Sequence, residues 1–188
     1  MRVPYSELKK GVFLIASPDI SGGVFFRGVV LLCDHSSAGS LGLIVNKPLE
    51  VDMPNVFAEF TDLPDIPLQT RAGGPNQPHQ IMLLQNYEMT TGNSLKVCDD
   101  VYLNEDFEIS QHGGHPSSAK LTLLCFGYSG WERGELEREF LNGAWFLHPA
   151  NSTHIFGTSP ELLWRTLLRE MGSRYKTLSM LPDDLDLN

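Results

Sequence analysis

Four side chains of the kinds used in acyl transfer stand in a row at Cys33-Asp34-His35-Ser36. A thiol, a carboxylate, an imidazole and a hydroxyl are the parts of a nucleophile, its base and the group that orients the base. Their spacing works against local assembly. On an extended strand Cys33 and Asp34 point to opposite faces. Cys33 and His35 share a face but sit about 6.5 Å apart, whereas a thiol–imidazole hydrogen bond needs about 3 Å. The SSAGS run that follows supplies hydroxyls that bond turn backbone and a glycine that accepts a positive φ. The stretch therefore reads as a hairpin tip. Asp34 and His35 line a site only if that tip meets another loop.

A second arrangement is GYSGW, 127–131, where Ser129 stands between Gly127 and Gly130. It is one residue short of the G-x-S-x-G elbow of hydrolases. It predicts a tight strand-to-helix turn whose amides can face an anion, with Tyr128 beside the serine and Trp131 as a packing staple. In RAGGPNQP, 71–78, no GK[ST] follows the glycines, so it is not a phosphate loop. Gly73 and Gly74 bring backbone close to a ligand or shape a turn. Arg71 is the charge best placed to hold an anion, a solvated arginine being the plainer reading. HGGH offers His112 and His115, but zinc needs three or four ligands and no acidic residue follows at a ligand spacing. His35, His79, His148 and His154 are scattered along the chain. No metal and no cofactor is expected.

The elements that must position these residues follow from hydrophobic period and punctuation. VFLIAS (12–17), FFRGVVLLC (25–33), LGLIVN (41–46), IMLLQN (81–86), LKVCDDVYL (95–103), KLTLLCFGY (120–128) and AWFLH (144–148) read as strands, the second and third joined by a longer polar loop. SELKKG (6–11) and PNVFAEF (54–60) read as short helical turns, DLPDIPLQT (62–70) as an irregular crossing, and AGGPNQPHQ (72–80) and SQHGGHPSS (110–118) as turns. ERGELEREFLNG (132–143) reads as a helix with Leu136, Phe140 and Leu141 on its apolar stripe, Glu132, Glu135 and Glu139 on its wet side and Gly143 at its end. TSPELLWRTLLREMG (158–172) carries a capping Ser159 or Thr158, Pro160 in the first turn and a stripe of Leu163, Leu167, Leu168 and Met171. Strands grouped rather than alternating with helices favour α+β over a doubly wound sheet.

The chain has 188 residues, 41% hydrophobic and 20% charged, which fits one domain (1–188) with a loose acidic tail at 181–188. Against 23 acidic residues stand 14 basic ones, for a formal charge of −9. That disfavours direct DNA binding, which needs many phosphate-neutralising cations, and adhesion to an anionic membrane. Arg165, Arg169, Arg174 and Lys176 form the one local basic cluster, and cations near a helix C-terminus favour the helix dipole. No apolar run approaches the roughly 20 residues of a membrane helix. No leader is evident, and Cys33, Cys98 and Cys125 are odd in number and lack a CxxC, so the expectation is a cytoplasmic protein with reduced thiols.

FLIASP, FFRGVVLLCDHSSAGSLGLIVNKPL, AGGP before a strand, and FGYSGWERGELEREFLNGAWFL occur in order. Together they resemble the AlgH/YqgE-like family of bacterial proteins, from about Gly11 to the last helix. The resemblance implies a compact α+β domain with a mixed, largely antiparallel, barrel-like sheet flanked by helices. Members often carry the label of transcriptional regulator, without catalytic residues to transfer. Asn76 and Gln85 depart from the family's usual aliphatic and histidine residues. The resulting expectation is a non-enzymatic regulatory domain that binds an unknown protein or small molecule. Its site would draw on Asp34, His35, Arg71, Gly73, Gly74, Gly127, Tyr128, Gly130 and Trp131. The alternative is a small hydrolase or transferase built on Cys33, His35 and Ser129 across the fold.

Overall fold

The computed structural model describes residues 6–51, 68–88, 93–104 and 120–182. In chain order these form β1 (Val12–Ala16), β2 (Val29–Ser36), β3 (Gly39–Ile44), β4 (Leu68–Ala72), β5 (Asn76–Gln85), β6 (Leu95–Cys98), β7 (Val101–Asn104), β8 (Thr122–Glu132), α1 (Glu135–Leu141), β9 (Trp145–Pro149), a π turn (Thr153–Gly157), α2 (Pro160–Glu170) and α3 (Ser173–Leu178). The fold is α+β: one curled, half-barrel sheet with a few helices. The strand order is β6-β7-β5-β8-β3-β2-β1-β9, with β4 beside β8. The β4–β8 pair is parallel and the other ladders are antiparallel.

The apolar runs are continuous because the central strands are covered on both faces. Their period of two sorts the side chains into two cores. Phe13, Ile15, Val29, Leu31 and Cys33 join Leu163, Trp164, Leu167 and Leu168 of α2 on one face. Leu14, Ala16, Val30 and Leu32 join Trp131, Leu136 and Trp145 on the other. Trp164 fixes α2 to the sheet by donating from its indole Nε1 to the Ala16 carbonyl at 2.8 Å.

Several local expectations are corrected. Residues 6–11 make turns rather than helix. β2 starts at Val29, because Gly28 N–H closes a turn on the Phe25 carbonyl at 2.8 Å. The longer loop predicted between the second and third strands is a two-residue turn at Ser37-Ala38, with Cys33 as the extra residue of a bulge between Leu32 and Asp34. Residues 95–104 are two strands around an Asp99-Asp100 turn, where Asp100 has φ 54°. The 72–80 turn is half strand, since β5 begins at Asn76, and the crossing at 62–70 ends in β4. GYSGW is not a strand-to-helix turn: β8 runs straight through it to Glu132. The expected stripe of α1 buries Leu136, but Leu141 is exposed and Glu139 turns inward. The helix expected at 54–60, the 110–118 loop with His112 and His115, and the tail from 183 lie outside the described residues. Among the described residues no helix is long and apolar enough to cross a membrane.

Candidate functional site

The three sequence blocks converge on one junction. β3 pairs with the last residues of β8, placing Ser40 opposite Trp131, Leu41 opposite Gly130 and Gly42 opposite Ser129. The Gly73-Gly74 segment crosses beneath. Gly73 N–H donates to the Phe126 carbonyl at 2.8 Å, and the Gly73 carbonyl accepts from Ile44 N–H at 2.8 Å. Glycine is required here by space. A Cβ on Gly73 would lie 2.4 Å from the Gly127 carbonyl oxygen, and one on Gly74 would lie 2.2 Å from the Tyr128 carbonyl carbon. Gly127 combines φ 70° with a Cβ position 2.6 Å from the Gly74 carbonyl oxygen. These glycines form a tight backbone crossing rather than a cradle.

Next to this crossing lies an open polar notch of about 690 Å³, lined by Ser40, Asn76, Tyr128, Glu132, Glu135 and Arg138 together with Ala38, Gly130 and Trp131. The hairpin presents Ser40 because His35 pairs across from it, Nδ1 and Ser40 Oγ being hydrogen-bonded at 2.7 Å. Behind that pair His35 Nε2 stands 3.8 Å from Glu137 Oε1. Gln77, held at φ 44°, donates to the Tyr128 hydroxyl at 3.4 Å. Glu135 accepts from the Glu132 backbone N–H at 2.8 Å, and Arg138 Nε donates to the Gly134 carbonyl at 3.3 Å.

Of the expected site residues, Tyr128, Gly130 and Trp131 line the notch, whereas Gly73, Gly74 and Gly127 form the tight backbone crossing next to it and do not line it. His35 sits one hydrogen bond behind the notch, and Asp34 is exposed on the hairpin. Arg71 is elsewhere, and the solvated-arginine reading is corrected: its side chain is only 4% exposed. Its Nε donates to the Val45 carbonyl at 2.9 Å, Nη1 to its neighbour's carbonyl at Thr70 at 2.9 Å, and Nη2 to Gln69 Oε1 at 2.6 Å. Burial pulls its pKa below the ordinary value, with Cys125 and the Glu161 carboxylate acting weakly the other way. It is a brace between β4 and the end of β3. Trp131 is likewise mostly core, stacked edge-on with Trp145 at 6.1 Å.

Asn76, Ser40, Glu135 and Arg138 were not anticipated. No sequence signal marks them: at Asn76 the departure from the family pattern speaks against a polar role.

The nucleophile candidates sit in poor surroundings for catalysis. Ser129 is buried and donates from Oγ to the Gly73 carbonyl at 3.4 Å. Cys33 is buried in the larger core, where burial, then the Cys125 thiol, holds its pKa well above the usual range. Burial pushes Cys125 up to about 12 and Cys98 up to about 11. A thiolate, the reactive form, is disfavoured at all three. All three cysteines are free. Of the basic cluster, Arg165 is engaged internally, its Nη2 donating to the Leu181 carbonyl at 2.9 Å and Nη1 to that of Ser179.

The family model described as AlgH-like matches residues 13–176. The chain belongs to the AlgH-like family. It is 44% identical to a UPF0301 protein of Chlamydia muridarum, across 100% of this chain and 99% of that protein. It is 34% identical to a UPF0301 protein of Bacteroides fragilis, across 95% of this chain and 91% of that one. The solution structure of the AlgH protein from Pseudomonas aeruginosa superposes with a TM-score of 0.71 at 24% identity, covering 95% of this chain and 97% of that one. The crystal structure of a Corynebacterium diphtheriae protein gives 0.75 at 20% identity, covering 94% of each. At these identities the two structures show that this AlgH-like fold is shared.

Proposed function

We propose that this AlgH-like chain is a non-enzymatic, regulatory binding domain of the cytoplasm, and that the notch at the β3–β8 junction is where it contacts a partner protein. The observation that carries the reading is an open polar notch at the β3–β8 junction, with Ser129 and Cys33 buried away from it. Glu132 and Glu135 outnumber Arg138 in its lining, so a segment carrying lysine or arginine is the complementary partner. The formal charge of −9 steers association the same way. Three free thiols are compatible with a reducing compartment.

A photo-crosslinking residue at exposed position 132 tests this in cells, against the same residue at position 96 on β6. A discrete adduct from position 132 that disappears with Glu135→Lys is the expected result. Identical adducts from both positions, or adducts indifferent to Glu135→Lys, overturn the reading. Ester or thioester hydrolysis abolished by Ser129→Ala or Cys33→Ala would replace it with the enzymatic alternative.

A further inference from the structure

Away from the notch lining, three consecutive elements bring their polar side chains together. His148 on β9, His154 on the π turn and Glu170 at the end of α2 place one ligand atom each within 4.8 Å of one another. His154 Nε2 lies 3.1 Å from Glu170 Oε1, and His148 Nε2 lies 3.4 Å from Glu170 Oε2. Two ligands bound about 2.0–2.1 Å from a tetrahedral zinc ion stand roughly 3.3–3.4 Å apart, so the two His–Glu spacings are close to those of a shared ion, and with all three ligand atoms within 4.8 Å the cluster needs only a small contraction to hold one. The histidine side chains are 18% and 13% exposed and that of Glu170 44%, which leaves one side of the cluster open to water.

The hydrogen bonds behind the rings sharpen the assignment. His148 Nδ1 faces the Pro149 carbonyl at 2.8 Å; a carbonyl only accepts, so Nδ1 carries the proton. The other ring nitrogen of His148, Nε2, is thereby turned toward Glu170 Oε2 at 3.4 Å, where a cation between them is held by both. A ring N–H donated to a backbone carbonyl is also the usual support of a metal-bound histidine. His154 is held by the edge of Phe13, with centroids 6.2 Å apart, and by Asn151. Asn151 Oδ1 accepts from the His154 backbone N–H at 2.9 Å, so its Nδ2 faces His154 Nδ1 at 2.7 Å as a donor. A π turn, which often marks a functional position, sets the reach of this ring.

We propose that His148, His154 and Glu170 form a binding site for a divalent transition-metal ion of the zinc type, with the fourth position left to water. The His154 Nε2 proton moves to Nδ1 on binding. The Asn151 amide turns over to accept it and gives up its bond to the backbone. The ion then ties the end of α2 to β9.

Cobalt(II) titration of the full chain, followed by its visible absorption and by displacement with zinc, tests the site. One equivalent with a tetrahedral-type spectrum is expected. His148→Ala, His154→Ala and Glu170→Gln should each weaken binding by about tenfold or more, and the off-site His79→Ala should leave it unchanged. Asn151→Asp should tighten binding, because a carboxylate accepts both the Nδ1 proton and the backbone N–H. Circular dichroism confirms that each variant is folded. No cobalt spectrum, a sulfur-to-cobalt charge-transfer band, or binding lost in a His112→Ala, His115→Ala double variant while the three ligand variants retain it overturns the proposal.

Discussion

Arg71 shows how far residue type alone falls short. A lone arginine beside two glycines has the chemistry of an anion site, yet this one spends its donors on Val45, Thr70 and Gln69. Removing it strips the buried Val45 carbonyl of this donor and empties a buried side-chain site, so Arg71→Ala should destabilise by about 2–4 kcal/mol in urea denaturation. Arg71→Lys should recover only part, because one ammonium cannot replace a planar fork of donors. The buried thiols carry a pH signature. The Cys125 thiol titrates near 9.0 in the unfolded chain and about 12 in the folded one. Its contribution to stability is full below about pH 9 and is lost as pH climbs toward 12, at up to about 1.36 kcal/mol per pH unit. Cys125→Ala should therefore flatten the alkaline fall in the urea midpoint by one proton's worth.

At the scale of elements, the strands with both faces buried were legible, because uninterrupted apolar runs such as VVLLC leave little alternative. The long helix α2 was legible from its stripe and its proline. What escaped was decided by partners distant in sequence. Glycine and proline in GGPNQP and GYSGW signal turns locally, but each segment finds the other and is drawn into β5 and β8. His148, His154 and Glu170 lie on three consecutive elements and were hidden because their spacing follows no ligand pattern. Glu139 belongs here too. On a helical wheel it faces water, yet its Oε2 accepts from the indoles of Trp131 at 2.9 Å and Trp145 at 2.7 Å. Glu139→Leu strands two indole N–H groups and should cost about 2–4 kcal/mol, with a changed tryptophan emission in the folded state. Gly127→Ala meets both a left-handed φ and a carbonyl at 2.6 Å. A loss of about 2 kcal/mol or more, read from its thermal midpoint, is expected.

At the scale of the molecule, two cores share one sheet, and β8 is the strand on which they depend. It pairs with β3, β4 and β5 and carries Leu123 and Cys125 into one core and Trp131 into the other. Its amides from Leu123 to Phe126 should exchange with solvent only through global unfolding, so their protection should equal the denaturant-derived stability. That position has a price in time. β8 lies late in the chain, and β1, the earliest strand, finds its outer neighbour only in β9. A ribosome that has released β1 to β3 has made an apolar three-stranded ribbon with neither flank covered, since β9 and β8 are still to come. Until residues 122–149 emerge, that ribbon is a target for chaperones and for strand-to-strand aggregation. Closure over such separations belongs to the millisecond-to-second regime of non-local sheets, and a nascent chain ending before Trp145 should be recovered as an insoluble product.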